Sequence, residues 1–137
     1  MSIYNLTPHP VTIVLGNDKE YTIKSSGELR LASETPPVPG LPYLTVTGPQ
    51  EEVRIPVVRS QQITGLLETS PGYAIAVQEA TSQDAIIVSA MTARYLQENP
   101  TLTRARLFVP ASGPGMSVRD ATGNIKGVKA LEYFEKV

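Results

Sequence analysis

Twelve prolines and ten glycines interrupt a chain of 137 residues, and this density of breaks limits what it can fold into. Each proline fixes one backbone dihedral and removes a donor, and each glycine permits a turn, so the elements between them must be short. Short elements separated by turns favour strands. The length suits one domain with a real core. The reading is therefore an α+β fold: a single compact, strand-rich domain over 1–137, with a mixed sheet and one or two helices.

The chain contains no cysteine and one histidine, His9. A cysteine nucleophile, a thiolate metal site and a multi-histidine metal site are thereby excluded within one copy. Glu51 and Glu52 are adjacent, so a strand would turn them to opposite faces. No paired-carboxylate motif is visible, and neither a metal nor a cofactor is expected. The net charge of −1 argues against general nucleic-acid binding. The charge is unevenly placed, with five Lys/Arg against nine Asp/Glu in residues 1–90 and seven against four in 91–137. The C-terminal third is thus a candidate to face an anionic ligand, although fluctuation of surface charge along a short chain gives the same count. The longest apolar runs, Tyr73–Val77 and Ala85–Val88, fall far short of the ~20 residues that span a bilayer. No basic segment followed by an apolar one opens the chain. The expectation is a cytoplasmic protein with no membrane partner.

Strands are expected at Ser2–Leu6 and at Val11–Leu15, the latter returning through Gly16-Asn17-Asp18 into Glu20–Lys24 as a hairpin. Glu28–Ala32 places Leu29 and Leu31 on one face. The segment Thr35–Pro42 holds four prolines and reads as a stiff surface connection rather than a domain boundary. Tyr43–Thr47 and Val53–Arg59 resume strand patterning, with Pro56 demoting the second to an edge or a bulge. Ser60–Thr69 is ambiguous: Ile63, Leu66 and Leu67 have helical spacing, but Gly65 opposes a helix. Tyr73–Gln78 reads as a strand.

Residues 84–110 are the most legible. Ala85–Val88 is a short apolar run, as in a strand buried on both faces. Ser89 can cap a helix from Ala90 to about Gln97, with Met91 and Tyr95 one turn apart, and Asn99-Pro100 stops it. Arg104–Val109 is a further strand with Ala105, Leu107 and Val109 on one face. Together they form a βαβ-like unit with parallel strands. Val118–Asp120 then turns through Ala121–Asn124 into a returning strand, with Asp120 and Gly123 suited to the ends of a type I turn. Ala130–Phe134 forms a last strand or a short helix.

The βαβ reading locates a candidate site, because parallel strands bind ligands beyond their carboxyl ends. Ser89 opens the helix there, offering free amides and partial positive charge. The loop Ala111–Ser117 would lie at the same edge and offers Ser112, Gly113, Gly115 and Ser117. Arg94 and Arg119 could balance a phosphate, with Asp120 adjacent, and Tyr73 or Tyr95 could stack on a base. The loop is neither a P-loop nor a dinucleotide-binding glycine pattern. An ordinary Gly/Pro-rich surface loop would look the same. His9, held between Pro8 and Pro10, is either an imidazole presented on a rigid arm or part of a turn between strands. No Gly-x-Ser-x-Gly elbow supports a serine nucleophile.

Asn5-Leu6-Thr7-Pro8-His9-Pro10-Val11 resembles the opening of a group of small bacterial and phage proteins, mostly uncharacterised. The resemblance extends to Ile87-Val88-Ser89 before a helix, and to a closing segment from Ser112-Gly113-Pro114 through Val118-Arg119-Asp120 to Gly123, Ile125 and Gly127-Val128. It touches about a third of the chain; the middle, from Thr35 to Ser82, is unlike a typical member and is consistent with an insertion. The resemblance implies a compact intracellular protein whose marked residues include Asn5, Thr7 and His9 at the N-terminal turn, the helix start and the C-terminal hairpin. It carries no activity over. Small phage proteins of this general kind include sponges that sequester a nucleotide-derived immune signal.

Three functions follow from these features. The first is non-catalytic binding of a small anionic, nucleotide-derived ligand. The second is hydrolysis of such a ligand with His9 as general acid or base. The third is a structural or protein-interaction role, with the edge around Pro56 and the Thr35–Pro42 segment as contact surfaces. A homo-oligomer fits any of these, although no heptad or self-complementary patch announces one.

Overall fold

A computed structural model describes residues 1–137 as an α+β fold rich in short strands, in which mixed sheets dominate. The chain divides into two compact units: Met1–Arg30 with Leu67–Val137, and Leu31–Leu66.

The larger unit holds two four-stranded sheets. Strands β1 (Ile3–Asn5), β2 (Val11–Val14) and β3 (Glu20–Ile23) come from the first segment. Strands β8 (Ala85–Ile87), β9 (Arg106–Pro110), β10 (Ser117–Arg119), β11 (Ile125–Val128) and β12 (Leu131–Phe134) come from the second, with helix α1 (Ala90–Glu98) between β8 and β9. The first sheet runs β1-β8-β9-β12, the second β10-β11-β2-β3. In the first, β1, β8 and β9 are parallel and β12 is antiparallel to β9. In the second, β2–β3 and β10–β11 are the two expected hairpins, joined where β11 lies parallel to β2. Gly127 permits that junction, since a Cβ there would lie 2.5 Å from the Thr12 carbonyl oxygen.

The core is centred on β8. Leu6, Ile86, Ile87, Val88, Leu96 and Leu107 are fully enclosed, each contributing roughly 1.5–3 kcal/mol of burial. The apolar run Ala85–Val88 is buried on both faces, as a central parallel strand must be. Ala105, Leu107 and Val109 present one buried face along β9. Ser89 caps α1: the Thr92 amide donates to its Oγ at 3.3 Å. Asn99 ends the helix, with its Nδ2 donating to the Tyr95 carbonyl at 2.8 Å. The buried stripe of α1 is Thr92, Ala93 and Leu96, whereas Met91 is exposed, so the expected Met91–Tyr95 stripe is displaced by one position.

Residues Tyr73–Gln78 are helical, not a strand: after the Ser70–Gly72 turn the backbone enters a π-helical turn over Ile75–Glu79. Ala76 and Ala80, four residues apart, are buried. Thr103 Oγ1 donates to the Ala76 carbonyl at 2.5 Å, which fixes the turn from outside. The apolar run hid this spacing because alternation and helical period coincide over so few residues. Gly72 lies against the chain at Gly27–Leu29, where a Cβ would approach the Gly27 carbonyl oxygen to 2.6 Å. Ala130–Phe134 resolves as strand β12.

The smaller unit holds β4 (Leu31–Glu34), β5 (Tyr43–Thr47), β6 (Glu52–Pro56) and β7 (Gln62–Leu66), in two antiparallel pairs, β4–β7 and β5–β6. The strand expected at Glu28–Ala32 begins at Leu31, and that expected at Val53–Arg59 ends at Pro56. Within the ambiguous Ser60–Thr69 segment, Gln62–Leu66 is strand, with Thr64 as an extra residue between the Ala32–Gly65 and Ser33–Ile63 pairs. Such a bulge accounts for the broken alternation. The proline segment lies inside this unit, tied by the Arg59 amide donating to the Pro36 carbonyl at 2.8 Å. No helix is long and apolar enough to cross a membrane.

Candidate functional site

The parallel arrangement of β1, β8 and β9 gives the larger unit one edge at which three strands end together. Asn5 lies opposite Ile87, and Ile87 opposite Phe108. The ladder continues as the Leu6 amide donates to Ile87 and the Val88 amide to Phe108, at 2.8 and 2.9 Å. The chain leaves this edge in three segments: the Thr7–Pro10 turn, Ser89 with the start of α1, and the loop Ala111–Met116.

At the first segment, Asn5 is buried and its amide is used internally. Its Nδ2 donates to the carbonyls of His9 (2.8 Å) and Ile23 (2.9 Å). Its Oδ1 accepts from the Thr7 amide (3.0 Å) and lies 2.6 Å from Thr7 Oγ1. Thr7 Oγ1 also lies 2.9 Å from the His9 carbonyl, and Ser25 Oγ donates to the Thr7 carbonyl at 2.6 Å. The Asn5 amide and the Thr7 hydroxyl hydrogen are therefore spent on shaping the turn. His9 is exposed, and the bonds around the turn use its carbonyl, not its imidazole. Ser25 is a further member of this network. Sequence reading missed it because the bond spans eighteen residues.

At the second segment the Ser89 hydroxyl is committed to the cap, lying 3.0 Å from Thr92 Oγ1 as well as accepting from the Thr92 amide. The Ala93 amide donates to the Ser89 carbonyl. The open donors at the helix start are the amides of Ala90 and Met91, both exposed residues. Arg94 is exposed one turn further along α1. The third segment exposes Ser112, Gly113, Gly115 and Ser117, with a turn closed by the Met116 amide donating to the Gly113 carbonyl at 3.1 Å. Gly115 takes a φ of +78°, which a side chain would strain.

Arg119 and Asp120 are engaged in a hairpin of the second sheet. They lie at the end of β10, in the second sheet, and serve its hairpin. Arg119 Nη1 donates to the Gly123 carbonyl at 2.7 Å. Asp120 Oδ1 accepts from Thr122 Oγ1 (2.6 Å), the Thr122 amide (2.9 Å) and the Asn124 amide (3.1 Å). These bonds, the Thr122 hydroxyl foremost, hold its carboxyl below the ordinary aspartate range. The Gly123 amide donates to the Asp120 carbonyl, as the type I turn required. Both residues are thereby accounted for as turn chemistry.

A cleft of about 230 Å³ opens beside this edge, lined by Pro10, Val11, Thr12, Pro110 and Ile125–Val128. Pro10 follows His9 and Pro110 precedes the Ala111 loop, so two of the three exit segments border it. Its charged member, Lys126, pairs with Glu20 Oε1 at 3.0 Å. A larger hollow of about 490 Å³ is lined by Val14, Leu15, Gly16, Asp18, Val118 and Lys129. None of Asn5, Thr7, His9, Ser89, Arg94, Ser112, Gly113, Gly115, Ser117, Arg119 and Asp120 lines either space.

Asp84, at the opposite end of β8, is a carboxylate bonded as heavily as Asp120, with three bonds accepted by each. Its Oδ2 accepts from the Thr81 amide at 2.9 Å and its Oδ1 from the Ser2 amide at 2.9 Å. The Thr81 amide, then the Ser2 amide, hold its carboxyl below the usual value. It clamps the start of β1 onto β8. No group of three or more His, Cys, Asp or Glu side chains is placed to hold a metal ion. Compared with known proteins, the chain matches no family model, no curated protein and no solved structure.

Proposed function

We propose that the larger unit holds a small anionic, nucleotide-derived ligand without transforming it, in the cytoplasm, as a sponge of the kind that phages use against immune signals. The observation that carries this reading is the shared edge at which β1, β8 and β9 end with the start of α1 beside them. Free amides at a helix start attract an oxyanion. The Ala90 and Met91 amides, Arg94 and the Ser112–Gly115 backbone would hold the phosphate. The adjacent cleft of about 230 Å³ is too small for a whole nucleotide and would take a sugar or a single phosphate. The hydroxyls of Thr7 and Ser89 and the carboxylate of Asp120 are already bonded.

The test is a thermal-shift titration with cyclic mononucleotides, cyclic dinucleotides and ADP-ribose, followed by native mass spectrometry of any stabilised sample. A binder at a hundred times its Kd stabilises the fold by about 2.7 kcal/mol, and R94A should reduce that shift. A ligand recovered intact supports sequestration. Recovery of a cleaved product, lost in H9A, would replace sequestration by hydrolysis. No shift with any of these anions refutes the reading.

A further inference from the structure

The β5–β6 hairpin is amphipathic and incomplete. Leu44 pairs across the ladder with Ile55, and Val46 with Val53. The four side chains share one face and are 44–53% exposed. The other face carries Tyr43, Thr45 and Thr47 opposite Pro56, Arg54 and Glu52. An isolated two-stranded hairpin is at best marginally stable in water, and an apolar face of this kind calls for further strands. Both long edges of this two-stranded sheet are free.

The free edge of β6 specifies what adds to it. The Gly48 amide donates to Glu51 and the Val57 amide to Pro42, which sets the ladder's parity. Val53 and Ile55 bond inward to β5, so the backbone groups of Glu52, Arg54 and Pro56 point outward. Pro56 has no amide to offer and occupies an outward position where none is satisfied within the hairpin. An antiparallel copy of β6 can be centred on any of its five residues. Centring on Ile55 puts Arg54 against donorless Pro56, and centring on Pro56 puts two donorless prolines together. Centring on Glu52 puts Glu52 against Glu52. Centring on Arg54 puts Arg54 against Arg54 and Glu52 against donorless Pro56. Centring on Val53 puts Glu52 of each copy against Arg54 of the other, and Val53 against Val53 on the apolar face. Among the five centrings, only the one on Val53 both keeps like charges apart and leaves donorless Pro56 out of the pairs within β6. With three glutamates and two arginines, Leu31–Leu66 also lacks the charge that would favour a nucleic acid or an anionic membrane.

We propose that β6 is a self-association edge: two copies of this chain join through antiparallel β6 strands with Val53 on the two-fold axis, making a continuous four-stranded sheet. A few backbone bonds and a small apolar contact place this dimer at the weak, concentration-dependent end of specific association. Ligand binding at the larger unit is not required for it.

The experiment is sedimentation equilibrium of the full chain and three variants across micromolar concentrations. The wild type should move from 14.8 kDa toward twice that mass as concentration rises. E52R and R54E each bring like charges together twice and should weaken association about tenfold or more. The double variant E52R/R54E exchanges the pair and should restore it. Circular dichroism establishes that each variant is folded, and an unfolded single variant is replaced by E52Q or R54Q. A wild type that stays monomeric throughout overturns the proposal. So does a dimer that the single substitutions leave intact, which would move the contact to the β5 edge or another surface.

Discussion

In the larger unit, Leu6, Ile86, Leu96 and Leu107 are fully enclosed and buried polar groups such as Asn5 are bonded, whereas between Leu31 and Leu66 no side chain is buried. The two regions are specified by different physics. The first is held by side-chain burial around β8. The second is held by backbone ladders, a bulge and proline stiffness, and its apolar residues face outward. Strand patterning alone does not distinguish them, since Tyr43–Thr47 and Arg106–Pro110 both alternate. What differs is whether the apolar face has a partner within the unit.

The contrast can be broken at graded points. Leu96→Ala, which opens a cavity under α1, should cost about 3 kcal/mol in thermal or urea unfolding. Asn5→Ala removes the side-chain donor to the Ile23 carbonyl, one of two donors to the His9 carbonyl, and the acceptor for the Thr7 amide, and should cost roughly 2 kcal/mol, with the Thr7–Pro10 turn losing hydrogen-exchange protection. Ser89→Ala removes the α1 cap and should cost about 1 kcal/mol whether or not an anion is present. A loss seen only with ligand would instead assign the hydroxyl to binding. At the small end, Val46→Ala should stay within about 0.5 kcal/mol at concentrations where the chain is monomeric. Replacing Leu31–Leu66 by a short turn should leave the larger unit folded, because the Leu67 amide already donates to the Arg30 carbonyl at 2.8 Å. Loss of cooperative unfolding in that deletion would show that the smaller unit supports the core.

The sequence made local features legible. The Ser89 cap, the buried run Ala85–Val88, the Asp120–Gly123 turn and the β2–β3 hairpin each depend on neighbours a few residues away. Tyr73–Gln78 was illegible because Ala76 and Ala80 identify a helix only once Thr103 is known to receive it. Long-range pairings were hidden altogether: nothing near Ile3 announces Ala85, and nothing near Ile13 announces Val128. The candidate edge was legible in part, since the parallel β8–α1–β9 unit follows from sequence order. Arg119 and Asp120 lie on the β10–β11 hairpin of the second sheet, and the change of sheets between β9 and β10 was not legible from sequence order.

Those long-range pairings also set an order of assembly. β1 has no partner until Ala85–Ile87 has been synthesised, and β2 waits for Val128 to complete its sheet. The Tyr43–Pro56 hairpin closes within its own span, in roughly 1–10 μs. At translation rates of about 5–20 residues per second, several seconds separate the two events. The nascent chain therefore displays its outward apolar ladder and open β6 edge before it has a hydrophobic core. If β6 is the self-association edge proposed above, neighbouring chains on one message would offer that edge to one another before their cores form.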